Sequence, residues 1–536
     1  MLCIFLELLF FGVRMKIKSM ANLYVLFGIL ILAISRPGTA QTVSSANSAG
    51  EPVSISGPWV WIRINPKDGT QRRNLFRLEQ KGTVLSGSIE YPWGSGVSLA
   101  GGTIQGNQVY FRTADSPAPE YVGTLEGDHL RLTLKENGKS TPLELVRLPP
   151  GTPPYPPAPP LPEIQSLASN GLAKTPPMGW NAWNHFLSSI DDGIVRQVAD
   201  AMVSSGMRDA GYVYVNIDDE WAGERDAHGN IQPNRNFPDM KALANYIHSR
   251  GLKLGLYSSP GPETCVGHHG SLGYEEQDAQ SYAEWGVDYL KYDWCSAAFV
   301  YQDADMRAAY QKMGSALRKT GRPIVYSLCQ YGRAEVQQWG QAAGGNLWRT
   351  TQDIDDNWES MFSNWKSQHL ISQWNKPGGW NDPDMLEIGN GGMSAEEYRT
   401  HFSLWALLSA PLLAGNDPRS MEPATIAILT NKEVIAIDQD ALAAPPRKVS
   451  GMAEIETWIK PLVGGDLTVL LLNPSEKALH TDLKWSDLGV RGTPSVRDLW
   501  QHRDVSAPEG HKLDIPPHGV RMLRLSGVVA AGTTAP

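Results

Sequence analysis

Residues 287–294 read Val-Asp-Tyr-Leu-Lys-Tyr-Asp-Trp, a short apolar run that ends in charged side chains. Side chains alternate between the two faces of a β-strand, so Lys291 and Asp293 point the same way. A lysine beside a carboxylate favours the ionised form of that carboxylate, which suits a nucleophile. The run therefore indicates a strand that ends in a catalytic group. The alternative is a salt bridge that only fills the interior.

The same pattern recurs between residues 175 and 410, where short apolar runs end in polar clusters and segments with helical periodicity lie between them. These clusters are Met178-Gly-Trp180, Asp218-Asp219, Tyr257, Lys291-Tyr-Asp293, Cys329-Gln330, Arg349 to Asp353, Asp382-Pro-Asp384 and Ser409. Strand–helix units with functional groups at the strand ends predict an α/β fold, a catalytic (β/α)8 TIM barrel over residues 172–446. The active site of such a barrel lies at its carboxyl mouth.

The remaining sequence predicts further domains, because a barrel needs only about 250 residues and the chain has 536. Residues 53–148 show period-2 strands with Gly and Asn turns, which predict an extra N-terminal all-β domain, either a small antiparallel barrel or a sandwich. Residues 149–163 are a proline-rich linker of extended geometry. Residues 447–527 return to strands and predict a C-terminal antiparallel β-sandwich. We expect residues 41–163 to be removable without loss of the catalytic fold.

Residues 1–40 have the pattern of a signal peptide, with Lys16 and Lys18 before an apolar core and a small-residue cleavage site at 38–40. The pattern predicts a secreted or periplasmic protein with no membrane contact after cleavage; an uncleaved anchor is the alternative. The net charge is −9 and charged residues make up 19% of the chain. This mild acidity argues against nucleic acid as a partner, which needs clustered Lys and Arg.

Asp353 follows the sixth predicted strand and could face Asp293 across the mouth. Paired carboxylates in that position are the apparatus of glycoside hydrolysis. The alternative assigns the acidic run to the start of a helix over 358–370, with Asp355 or Asp356 as its N-cap. A calcium loop is disfavoured because Trp358 stands where such a loop needs glycine.

The other polar clusters fit a sugar ligand. Asp218, Asp219 and Asp384 can accept hydrogen bonds from hydroxyls, while Trp180 and Tyr257 can cover a C–H face. His268 and His269 lack further ligands at metal spacing, so neither a metal nor another cofactor is expected. A carbohydrate is the expected partner.

Several motifs in order resemble family 27 of the glycoside hydrolases, the α-galactosidases or melibiases. The similarity covers about residues 172–527 and rests on Pro176 to Trp183, Asn216 to Asp219, Tyr289 to Asp293, Arg349 to Asp353 and Gly379 to Met385. The resemblance implies that Asp293 is the nucleophile and Asp353 the general acid/base of a retaining enzyme. It also implies a Cys265–Cys295 disulfide and a sugar site formed by Trp180, Asp218, Asp219, Tyr257, Lys291, Gln330, Arg349 and Asp384.

Two positions depart from the family pattern. Gln330 replaces a glutamate of a Cys-Glu-Trp motif, and Glu220 stands where many relatives have a disulfide-bonded cysteine. The expected activity is exo-hydrolysis of terminal α-D-galactosyl groups by double displacement. The alternatives are β-L-arabinopyranosidase, α-N-acetylgalactosaminidase, a Schiff-base lyase that uses Lys291, and a sugar-binding protein without catalysis.

Overall fold

The computed structural model describes residues 54–94, 96–115, 117–449, 454–507, 509–527 and 529–530. The predicted signal peptide, residues 1–40, lies outside these residues. The chain divides into two compact units. Among the described residues, the first unit holds 54–61, Leu75–Ile89 and Val97–Pro149, and the second holds Ile62–Asn74, Glu90–Gly96 and those from Pro150 onward. No helix in the described part of the chain combines the length and apolar character of a membrane span.

The N-terminal strands form a closed antiparallel barrel. They are β1 (Gly57–Ile64), β2 (Gln71–Lys81), β3 (Val84–Glu90), β4 (Gly96–Gln105), β5 (Gln108–Thr113), β6 (Glu120–Glu126), β7 (His129–Glu136) and β8 (Lys139–Arg147). In the first unit, Phe76, Phe111 and Tyr121 form an aromatic cluster in the core. Strands β4 and β6 were not expected from the sequence, because glycines and exposed polar residues interrupt their apolar alternation.

The second unit contains a sheet of eight parallel strands, in which chain neighbours pair with one another. The last strand returns to the first, and an isolated parallel bridge between Leu386 and Ala414 joins the remaining edge. A hairpin of two short strands follows the second parallel strand. The strands are β9 (Met178–Asn181), β10 (Tyr214–Asn216), the hairpin β11 (Ala222–Arg225) and β12 (Ile231–Pro233), then β13 (Lys253–Ser258), β14 (Tyr289–Asp293), β15 (Val325–Cys329), β16 (Leu347–Arg349), β17 (Trp380–Asp382) and β18 (Leu412–Ala414).

Helices connect these strands, and several begin at the polar caps that the sequence offers. Asp191 and Asp239 accept backbone hydrogen bonds at the starts of two helices, and Ser394 with Glu397 forms the expected capping box. The helix predicted over 358–370 is capped by Asn357, so the expectation of Asp355 or Asp356 is wrong. The helices are α1 (Trp183–Phe186), α2 (Asp192–Ser204), α3 (Met207–Ala210), α4 (Met240–Ser249), α5 (Glu275–Trp285), α6 (Met306–Lys319), α7 (Val336–Trp339), α8 (Trp358–Gln368), α9 (Ala395–Leu408), α10 (Pro423–Leu429) and α11 (Lys432–Asp438).

The C-terminal strands form an antiparallel sheet of six strands in the order β19-β20-β21-β27-β24-β25, with smaller pairs β22-β26 and β23-β28. Their inner faces enclose an apolar cluster around Val469, Trp485 and Leu523. The strands are β19 (Arg447–Lys448), β20 (Glu456–Pro461), β21 (Leu467–Leu472), β22 (Leu479–Lys484), β23 (Val490–Arg491), β24 (Ser495–Asp498), β25 (Arg503–Val505), β26 (Gly510–Ile515), β27 (Val520–Ser526) and β28 (Val529–Ala530).

A buried lysine joins this sheet to the helices of the parallel barrel. Lys460 on β20 is fully buried, and its Nζ donates to Ser409 Oγ at 2.6 Å and to the carbonyls of Ile437 and Ala406 at 2.9 and 3.3 Å. Burial lowers the pKa of Lys460 to about 8, while the nearby carboxylates Asp438 and Asp440 favour its charged form. Burial raises the pKa of Asp438, and Lys460 opposes that rise.

We expect Lys460→Met to lower the free energy of unfolding by about 1–3 kcal/mol, because Ser409 Oγ and the carbonyls of Ile437 and Ala406 lose their buried donor. Chemical denaturation measures the loss. The control is Lys448→Met on the same sheet, whose side chain is 51% exposed in a surface pair with Glu456 and should cost less than about 1 kcal/mol. Equal losses in the two variants would contradict a structural role for the buried lysine.

Candidate active site

A pocket of about 780 Å³ opens at the carboxyl ends of the parallel strands. Because each strand of the barrel ends at this mouth, side chains far apart in the sequence meet there. Most of the residues predicted from the strand ends line the pocket: Asp218, Asp219, Tyr257, Lys291, Asp293, Arg349, Asp353 and Asp384.

Strand β14 supplies both Lys291 and Asp293 to the pocket, as its alternation predicts. Lys291 Nζ lies 2.7 Å from Asp218 Oδ2 and 5.2 Å from the centre of the Tyr257 ring. Its ion-pair partner is therefore Asp218, which follows β10, two strands away from β14 in the sheet, and the pair forms part of the wall of an open pocket. Burial disfavours the charge of Lys291, but Asp218 and other nearby anions raise its pKa well above the ordinary value.

Asp293 is buried, and its carboxylate accepts a hydrogen bond of 2.9 Å from the Tyr331 hydroxyl. Burial raises the pKa of Asp293 to about 6, and the negative charge of Asp353 adds to that rise. The cation of Lys291 and the Tyr331 hydrogen bond act in the opposite direction. The carboxylate is therefore ionised near neutral pH, although it has little contact with water.

Arg349, at the end of β16, holds two further carboxylates together. Its Nη2 lies 3.0 Å from Asp353 Oδ1 and 2.9 Å from Asp384 Oδ2. Its guanidinium is buried; burial disfavours its charge, but Asp384 and the other anions around it raise its pKa well above the ordinary value. The Asp353 side chain is 75% exposed, so the two carboxylates predicted for catalysis differ sharply in their contact with solvent.

The backbone around Asp384 is held in an unusual conformation. Asp384 has a φ of 86°, a left-handed conformation that costs a non-glycine residue about 1–3 kcal/mol. Its carboxylate accepts hydrogen bonds from the backbone amides of Ile354 and Met385, both at 2.8 Å. These bonds, with the Arg349 ion pair, hold the side chain toward the pocket.

The acidic pair after β10 is also fixed by hydrogen bonds. Asn181 Nδ2 donates to Asp218 Oδ2 at 2.7 Å, so this oxygen is shared with Lys291. Asp219 accepts from the amides of Glu220 and Val266 at 2.9 and 3.1 Å. Burial raises the pKa of Asp219.

The structure does not bring Trp180 and Gln330 to the pocket surface. Trp180 is fully buried, and its indole donates to the Asn416 carbonyl at 2.7 Å. Gln330 is also fully buried and does not line the pocket. It follows Cys329, the last residue of β15, and alternation turns its side chain away from the face on which Cys329 approaches Arg349.

Tyr331, rather than Gln330, brings the end of β15 to the pocket. Sequence reasoning missed it because the chain turns here with a φ of 61°, which simple alternation does not anticipate. Glu387 was also missed: burial raises its pKa to about 7, and it accepts hydrogen bonds from Asn184 and Asn390. No pattern around Glu387 distinguished it from an ordinary loop residue.

Cys265 and Cys295 form the disulfide that the resemblance implied, with their Cα atoms 4.9 Å apart. The Tyr257 hydroxyl lies 3.3 Å from Cys295 Sγ, so the disulfide supports one wall of the pocket. Cys329 is a buried free thiol, and burial raises its pKa well above the ordinary value.

Glu220, which replaces a family cysteine, takes part in a buried ionic network within the second unit. Arg72 Nη2 lies 2.6 Å from Asp68 and 2.7 Å from Glu220, and His268 Nε2 lies 3.2 Å from Glu220. Three of these side chains could in principle ligate a metal, but the Arg72 guanidinium already supplies the positive charge. His268 therefore belongs to an ion-pair network rather than to a metal site.

This network bears on the expectation that residues 41–163 are removable. Asp68 and Arg72 lie in Ile62–Asn74, which belongs to the same compact unit as the parallel barrel. Removing this segment would take Asp68 and Arg72 away from Glu220 and His268. The second unit therefore includes residues on the N-terminal side of the expected boundary, and removability of residues 41–163 stays a prediction.

A parallel barrel that presents a buried carboxylate and an exposed carboxylate in one ionic pocket has the arrangement expected of a glycoside hydrolase. The comparisons with known proteins agree. The family model for α-galactosidase A matches residues 175–440, and the model for the α-galactosidase C-terminal β-sandwich domain matches residues 452–525. The chain belongs to the α-galactosidase (melibiase) family.

Individual relatives support this membership. An α-galactosidase from Cyamopsis tetragonoloba is 48% identical over 367 residues, which are 67% of this chain and 88% of the relative. The crystal structure of α-galactosidase I from Mortierella vinacea is 37% identical with a TM-score of 0.65, covering 68% of this chain and all of that one. A Bacteroides fragilis structure covers 88% of this chain and 95% of its own, with 31% identity and a TM-score of 0.64.

We expect Tyr331→Phe to move the acidic limb of the kcat/KM profile to higher pH. The hydrogen bond from Tyr331 stabilises ionised Asp293, so its loss raises a pKa that already stands at about 6. On acidification the variant would then lose activity at a higher pH than the wild type does, because a protonated carboxyl cannot attack. A pH–rate series in the range 4 to 8 measures the shift, and an unmoved acidic limb would mean that Asp293 does not control it.

Proposed function

We propose that this chain is a retaining exo-glycosidase that hydrolyses terminal α-D-galactosyl groups, with Asp293 as nucleophile and Asp353 as general acid/base. The observation that carries the assignment is the pair itself: one carboxylate buried beside a cation, and one carboxylate exposed at the same mouth. The α-galactosidase relatives support the choice of sugar. Retention is general in this family and calls for a carboxyl spacing of about 5–5.5 Å.

In the first step one bond to the anomeric carbon forms and one bond to it breaks. The Asp293 carboxylate attacks the anomeric carbon while the glycosidic C–O bond breaks, and Asp353 gives its proton to the departing oxygen. Its solvent exposure suits Asp353 to this role, because the water that it deprotonates in the second step must reach it from solvent. In the second step Asp353 takes a proton from water, the water oxygen bonds to the anomeric carbon, and Asp293 leaves as a carboxylate.

The other polar groups of the pocket are assigned to the galactosyl ring. Asp218, Asp219 and Asp384 can accept hydrogen bonds from its hydroxyls, and Lys291 and Arg349 can donate to them. Tyr257 contributes to the wall beside Lys291. Trp180 and Gln330 are buried behind the residues that line the pocket, and their proposed role is to support those residues.

The protonation state of Lys291 argues against the Schiff-base lyase alternative. An amine that attacks a carbonyl must be neutral, and enzymes obtain one by lowering the lysine pKa. Here Asp218 and the neighbouring carboxylates raise the pKa of Lys291 well above the ordinary value. The lysine is therefore suited to electrostatic support and to sugar binding.

Export is part of the proposal, with residues 1–40 as a signal peptide and a secreted or periplasmic destination. The Cys265–Cys295 disulfide supports it, because such bonds persist in oxidising compartments. The proposed domain bounds are 53–148, 149–163, 172–446 and 447–527. N-terminal sequencing of the exported protein tests the cleavage site after residue 40.

Asp293→Ala and Asp353→Ala should each nearly abolish hydrolysis of 4-nitrophenyl α-galactoside, with Asp353→Ala costing about 10²–10⁴-fold through lost acid/base catalysis. Azide should rescue both variants, giving a galactosyl azide of inverted configuration from Asp293→Ala and of retained configuration from Asp353→Ala. Asp355→Ala, an exposed pocket carboxylate, is the control and should stay near wild type.

The stereochemistry of the wild-type reaction provides a second check. An NMR time course should show α-galactose before mutarotation, and β-galactose as first product would exclude double displacement. Rates on the nitrophenyl α-galactoside, β-L-arabinopyranoside and α-N-acetylgalactosaminide compare the three sugars. The α-galactoside should have the highest kcat/KM.

Lys291→Met should move the acidic limb upward by more than Tyr331→Phe does. Among the effects that stabilise ionised Asp293, the charge of Lys291 is larger than the Tyr331 hydrogen bond. Lys253→Met, at the opposite end of a barrel strand and exposed, is the control and should leave the profile in place. If the acidic limb of the pH–rate profile does not move in Lys291→Met, the role of Lys291 is ligand binding alone.

A further inference from the structure

The turn Tyr91-Pro92-Trp93-Gly94 adds an aromatic side chain to the active-site pocket from outside the parallel barrel. It lies in Glu90–Gly96, a segment of the second compact unit. Trp93 lines the same pocket as Asp293 and Asp353. Both family matches begin well after this turn, the earlier at residue 175, so the family's own motifs do not account for Trp93.

The turn is held rigidly. Gly94 N donates to the Tyr91 carbonyl at 3.0 Å, and Gly94 has a φ of 88°, which glycine adopts without strain. Pro92 limits the backbone further, and its carbonyl accepts from Ser296 N at 2.5 Å. Ser296 follows Asp293 by three residues, so the turn is tied to the strand end that carries the nucleophile.

The indole of Trp93 is presented as a flat surface. Its ring stacks on Tyr91 with centroids 4.3 Å apart and planes 5° from parallel. Trp93 is nevertheless 53% exposed, so the face opposite Tyr91 is open to a ligand. Because this exposed aromatic plane lines the active-site pocket, it can pack against a ligand that occupies the pocket.

The geometry points to Trp93 as the platform of a leaving-group subsite, which takes the neutral hexopyranose attached to the galactosyl group. The ionic residues around Lys291 and Arg349 are assigned to galactose, whereas Trp93 carries no charge and only one hydrogen-bond donor. It offers instead an apolar plane that suits the C–H face of a second sugar. This inference rests on the proposed function and assigns to it a specificity-determining residue outside the family match, one that favours α-galactosides whose next residue is itself a sugar.

The test compares two substrates that share galactose and differ in leaving group. Melibiose carries a glucose, whereas α-galactosyl fluoride carries only fluoride and cannot reach the subsite. For Trp93→Ala we expect kcat/KM on melibiose to fall by about 3- to 12-fold, the range for loss of one stacking contact, with the value on the fluoride unchanged. Trp93→Phe, which keeps a flat ring, should retain most of the melibiose activity.

Trp374→Ala is the matched control, since Trp374 is 38% exposed and does not line the pocket; it should leave both substrates unaffected. Equal losses on melibiose and fluoride in Trp93→Ala, or no loss on either, would overturn the subsite. A wild-type enzyme inactive on both substrates would instead refute the proposed function. Activity on the fluoride also reports that each variant is folded.

Discussion

Two buried cations make this active site possible. Several carboxylates converge on one mouth, and without compensation their mutual repulsion and the cost of burial would drive them to the neutral form. Lys291 lies against Asp218, and Arg349 lies between Asp353 and Asp384. Each cation comes from a strand end, so the charge balance is set by the barrel itself rather than by mobile loops. The sugar site and the chemistry depend on that balance.

The same electrostatics separates the tasks of the two proposed catalytic groups. Asp293 is shielded from water and kept ionised by a cation and a hydroxyl, so it can attack without first losing a hydration shell. Asp353 remains in contact with solvent, from which the attacking water of the second step can reach it. One fold thus gives two chemically identical side chains different behaviour through position alone, which is how carboxylate pairs divide acid and nucleophile work.

The sequence predicted the parts of the site that follow from strand periodicity. Each parallel strand ends in its polar cluster, so Asp218, Lys291, Asp293 and Arg349 could be named from spacing. Gln330 could not be placed, because a left-handed backbone at the next residue decides which side chain enters the pocket. Arg72 and Trp93 were not assigned to this region for another reason: Glu220 is 148 residues from Arg72, and the strand ends that share the pocket with Trp93 are far away in the sequence. No local pattern records such contacts.

The Arg72–Glu220 pair has a consequence for how sequences of this kind can diverge. Neither residue tolerates change alone, since either substitution leaves a buried charge with fewer partners. We therefore expect the residues at positions 72 and 220 to change together in homologues that contain both segments. Such covariation would couple the N-terminal segment to the rim of the catalytic barrel during evolution.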